Sequence, residues 1–89
     1  PSIEIPAVMA NDVKITANVT GVSDGIASID AGTVKGVRDG TVFYIYRGDE
    51  FVANLEILTV DDSEAAGRIY DRREGYEPQT GDKVATKLD

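Results

Sequence analysis

Within the segment Val13 to Val22 the chain alternates as far as Thr20: Val13, Ile15, Ala17 and Val19 on one side, Lys14, Thr16, Asn18 and Thr20 on the other. A period of two belongs to a strand with one buried face, because successive side chains leave a pleated backbone in opposite directions. Ser23-Asp24-Gly25 then turns the chain into a second apolar segment, Ile26 to Ala31. The rhythm continues through Thr41 to Arg47, Phe51 to Val60, Glu64 to Asp71 and Lys83 to Leu88. Gly48-Asp49-Glu50 and Asp61-Asp62-Ser63 supply turn chemistry between neighbours. No window spaces its apolar residues like the buried stripe of a helix. The side chains agree, with 10 Val, 8 Ile and 7 Thr against 3 Leu, a β-branched load suited to pleated surfaces.

These features predict an all-β protein. An open sheet edge invites pairing with another chain, so a short sheet protein gains by closing on itself. The expected fold is a small closed or partly open barrel of five to six strands, SH3-like or OB-like. Residues 13–89 form its single domain, and 1–12, with two prolines and no period, form a linker or loosely attached first strand. The predicted core is Ile15, Ala17, Val19, Ala27, Ile29, Val37, Phe43, Ile45, Leu55, Ile57, Ile69 and Val84. Gly32, Gly36 and Gly40, four residues apart, are expected where the backbone needs positive φ.

Charge narrows the partners. The net charge is −7, and it is unevenly placed: residues 1–48 hold 5 acids and 4 bases, residues 49–89 hold 11 acids and 5 bases. Nucleic-acid affinity comes largely from Lys and Arg neutralising phosphates, so no nucleic-acid partner is expected, nor attraction to anionic lipid headgroups. No apolar run is long enough to span a bilayer, so no direct membrane insertion is expected either. A chain that begins at Pro1, with no signal-type segment, is expected to be an excised or processed domain.

Reactive chemistry is sparse. With no His and no Cys, thiol catalysis, imidazole bases, disulfides and the usual zinc sites are absent, and no serine has a histidine to activate it. Asp61, Asp62 and Glu64 are a weak candidate for a hard cation, but they lack calcium-loop spacing and read as a solvated turn. The glycines at 32–40 match neither phosphate-loop pattern. Asn18-Val19-Thr20 matches a glycosylation sequon but sits mid-strand. No catalytic residue and no cofactor are expected.

The third strand is unusual on both faces. Phe43 and Ile45 point one way, and Val42, Tyr44 and Tyr46 the other. The outer set either lies beneath residues 1–12 or the loop at 72–79, or contacts a protein partner or a second copy. Tyr beside Arg is typical of interface hot spots, so Val42, Tyr44, Tyr46 and Arg47 are the candidate partner-binding residues.

The runs Ile29-Asp30-Ala31-Gly32, Gly36-Val37, Gly40-Thr41-Val42-Phe43-Tyr44-Ile45-Tyr46-Arg47 and Gly81-Asp82-Lys83-Val84 resemble a recurring bacterial small-barrel domain. It is the kind found at the C-terminal end of the flagellar assembly protein FlgT. Similar barrels end envelope-associated coiled-coil proteins and, more distantly, the cell-shape protein MreC. The resemblance spans residues 13–88 and implies a non-enzymatic module, periplasmic or envelope-associated, that packs on partners in an assembly. The alternative is an OB-type barrel that stacks an oligonucleotide or oligosaccharide on Tyr44 and Tyr46. Lys14, Lys35, Arg38 and Arg47 are the bases available to it in the less acidic half.

Overall fold

The computed structural model of the chain describes residues 14–87. Its strands are β1 (Thr16–Ser23), β2 (Ile26–Ile29), β3 (Val42–Arg47), β4 (Glu50–Val60), β5 (Ala65–Tyr70) and β6 (Lys83–Ala85). Each lies within or at the edge of one of the alternating segments. The far end of the last segment, Leu88, and the expectations for residues 1–12 lie outside the described residues.

Every neighbouring pair is antiparallel, and the order β1-β2-β5-β4-β3-β6 closes into a barrel, with β6 between β3 and β1. The seam continues beyond the last ladder pair. The Thr86 N–H donates to the Ile15 carbonyl, and the Ile15 N–H to Thr86 Oγ1, each at 3.0 Å.

Alternation fills the interior. Ala17, Val19, Ala27, Ile29, Val37, Phe43, Ile45, Leu55, Ile57 and Val84 are buried as the pattern predicts, while Ile15 and Ile69 pack against this core but stay partly exposed. Ala31, Val52, Ala53 and Ala65 join them. Phe43 is the largest fully buried side chain. The pleat is broken on β4 between the pairs Ile45↔Ala53 and Tyr46↔Phe51. Val52 is the extra residue of this bulge, so both Val52 and Ala53 turn inward and Phe51 returns to the outer face.

The two long connections close the barrel's ends. From β2 the chain crosses one end to β3 through a short 3₁₀ turn, Thr33–Lys35, burying Ala31 and Val37 on the way. From β5 it crosses the other end to β6, packing Tyr76 on the core and burying Pro78. The loop at 72–79 is therefore an end plug. Gly36 and Gly40 have the expected positive φ, 95° and 86°. Gly32 does not: its φ is −143°, and the position is glycine because a Cβ there would lie 2.0 Å from the Asp61 carbonyl oxygen. That close approach lets the Thr33 and Val34 N–H groups donate to the Asp61 and Asp62 carbonyls at 2.9 and 3.0 Å, fixing the plug to the β4–β5 turn. No helix among the described residues is long and apolar enough to cross a membrane.

Candidate functional site

Because Phe43 and Ile45 fill the interior, β3 presents Val42, Tyr44 and Tyr46 outward. Register then decides their neighbours. Tyr44 stands opposite Ala85 on β6 and Asn54 on β4, and Asn54 opposite Tyr70 on β5. Tyr46 stands between Lys83 on β6 and Phe51 on β4. Val42 faces Glu56, which faces Arg68. The outer surface of β3, β4 and β5 thus carries four aromatic rings, Tyr44, Tyr46, Phe51 and Tyr70, all half-buried, with Val42 exposed at its margin.

Polar contacts frame this surface. Arg68 Nη2 donates to Glu56 Oε1 at 2.8 Å while its guanidinium lies 5.0 Å from the centre of the Tyr70 ring. Asn54 Nδ2 makes a long 3.5 Å contact to Asp71, and Asn54 Oδ1 is buried without a hydrogen-bond partner.

The structure brings Val42, Tyr44 and Tyr46 together on one face but gives Arg47 different work. Its Nε and Nη2 donate to the two oxygens of Asp82 at 2.8 and 2.9 Å, and Nη2 also donates to the Glu77 carbonyl at 2.7 Å. Asp82 additionally accepts the Gln79 N–H at 2.8 Å. Burial by itself would raise the Asp82 carboxyl, but Arg47 and the Gln79 N–H outweigh it and hold the group below the usual carboxylate range. The bond to Asp82 also raises the Arg47 guanidinium. Arg47 is thereby a clamp that fixes the end plug to β3.

Phe51 and Tyr70 belong to the same surface and were not singled out by sequence reasoning. The bulge at Val52 hides Phe51, since strict alternation from Leu55 places it inside. Tyr70 carries a legible signal: it is outward on β5, out of phase with Ile69. Asp61, Asp62 and Glu64 form the β4–β5 turn, where the Asp61 N–H donates to the Glu64 carbonyl at 2.7 Å. Among the described residues, no group of three or more acidic side chains is arranged to hold a metal ion. Asn18 of the sequon is engaged within the fold, its N–H and Nδ2 donating to the Asp30 carboxylate at 2.8 and 3.2 Å. The Asn18 backbone N–H is the first cause, and its amide a further one, that lowers the Asp30 carboxyl against the cost of desolvation.

No family model matches the chain, and no curated protein matches it in sequence.

Proposed function

We propose that the protein is a non-catalytic interaction module whose outer β3–β4–β5 face packs on a protein partner or a second copy of the chain, as part of an envelope-associated assembly of the kind its sequence resembles. The observation that carries this reading is the cluster of Tyr44, Tyr46, Phe51 and Tyr70 on one outer surface, separate from the Phe43 ring in the core. Aromatic rings half-exposed on a rigid sheet supply contact area at low entropic cost, the composition that dominates interface energetics. The carboxylates with resolved shifts, Asp30, Glu50 and Asp82, are all lowered, and each lowering has a structural partner in Asn18, Tyr76 or Arg47. A general acid near neutral pH needs the opposite shift. Oligonucleotide binding has less support, because a polyanion must approach a molecule of net charge −7.

The test is site-specific photocrosslinking in the parent cell. A photoreactive residue in place of Tyr44 is expected to give a discrete protein adduct, and the same residue at exposed Thr20 on β1 is not. Adding Phe51→Ser to the Tyr44 probe is expected to reduce that adduct. Equal adducts at positions 44 and 20, or none at 44, would refute the reading.

A further inference from the structure

A second feature lies beside the aromatic face and is not explained by it. Thr16 and Asn18 of β1, Asp30 after β2, Lys35 of the 3₁₀ turn, Tyr46 of β3 and Lys83 of β6 line an open groove of about 320 Å³. Register places Lys83 directly between Asn18 and Tyr46, so an ammonium, an amide and an aromatic ring stand in one row across three strands. In the acid-rich half, Arg68, Arg72 and Arg73 each pair with a glutamate. Neither the Lys35 nor the Lys83 ammonium has a hydrogen-bond or ion-pair partner among the described residues, although Lys35 feels the charge of Asp30. Among the described residues Asp30 is the one carboxylate that lines the groove, and both its oxygens already accept from Asn18. The described lining thus sets two ammonium groups against one carboxylate, in a chain of net charge −7.

The geometry points to a binding site for a compact organic oxyanion, a sugar acid or sugar phosphate. Its anionic group would lie between Lys35 and Lys83, its ring against Tyr46 and its hydroxyls on Thr16, Asn18 and Asp30. The size is at the lower end of ligand pockets, which run from roughly 300 Å³ upward. Two arguments select this class. An extended peptide gains affinity by adding to a sheet edge, and the closed ladder offers none at this groove. Screening separates a small anion from a polyanion. At physiological salt the Debye length is about 8 Å, so a ligand confined to the groove is shielded from distant acids, whereas a nucleic acid extends over them.

The experiment is amide NMR titration of the full 89-residue chain with glucuronate, glucose 6-phosphate, glucose and a short thymidine oligonucleotide. Glucuronate is expected to shift the amides of Asn18, Lys35, Tyr46 and Lys83 saturably, with a Kd of about 1 mM. Lys35→Gln and Lys83→Gln, both at exposed positions, are each expected to weaken binding about fivefold with the rest of the spectrum unchanged. Glucose is expected to give no saturable shift. A response to glucuronate alone assigns the site to carboxylates, and equal responses to glucuronate and glucose 6-phosphate assign it to oxyanions in general. The proposal is overturned by the absence of saturable shifts, by Lys variants that bind like the parent, by an equal response to glucose, or by tighter binding of the oligonucleotide. Tyr46 belongs to both features, but this titration reads Lys35 and Lys83 whereas the crosslink reads Tyr44 and Phe51, so failure of one proposal is distinguishable from failure of the other.

Discussion

Asp82 is the polar residue with most at stake in its surroundings, buried yet ionised because Arg47 grips both its oxygens and the Gln79 N–H fills a further lone pair. Replacing it by Ala removes these bonds and is expected to cost about 2 kcal/mol in urea unfolding, discounted because Arg47 remains partly in water. The pH dependence follows from the direction of its shift. A carboxyl whose folded pKa is depressed contributes its full stabilisation above the unfolded value, about 4, and loses it as pH falls through the folded value. Stability is therefore expected to decline with acid below about pH 4, and Asp82→Asn is expected to flatten that decline in melts taken across the range. Gly67 has a steric rather than an electrostatic reason to be what it is. A Cβ there would lie 2.2 Å from the Glu56 carbonyl oxygen, backbone that cannot swing aside. Gly67→Ala is expected to lose about 2–3 kcal/mol, read as a lower melting temperature.

Within single elements, the β2–β3 connection shows why one apolar type occurs in opposite environments. Val34 and Val37 are three residues apart, yet Val34 is 81% exposed and Val37 fully buried. The 3₁₀ turn at Thr33–Lys35 and the left-handed Gly36 reverse the chain between them, so the first points to solvent and the second into the barrel's end. Val37→Ala is expected to cost about 2 kcal/mol and Val34→Ala less than about 0.5 kcal/mol, a contrast measurable by parallel denaturant titrations. In sequence Val37 is recognisable as a lone valine among polar neighbours, next to a glycine. β4 is harder to read, because its bulges insert Val52 and Leu58 out of phase and exchange inner for outer positions along the strand. Phe51 is lost to sequence reasoning for that reason.

For the barrel as a whole, closure depends on contacts between residues far apart in the chain. β6 must lie between β1 and β3, and Ile15 must meet Thr86 across 71 positions. Such closure pays loop entropy before any contact repays it, so refolding is expected on the millisecond-to-second scale of other all-β domains. Stopped-flow tyrosine fluorescence checks this, since the chain has 4 Tyr and no Trp. The same distance effect separates the legible from the illegible. Strand positions, fold class and most of the core could be read along the chain, because alternation and turn chemistry are local consequences of backbone geometry. The outward placement of Val42, Tyr44 and Tyr46 was local in the same way. Which strands lie beside them was not local. Pairing joins Tyr44 to Asn54 and Tyr70, sets Lys83 between Asn18 and Tyr46, and ties Arg47 to Asp82. Those partners are chosen by the closed ladder, whose register is settled only when every inward face is buried at once.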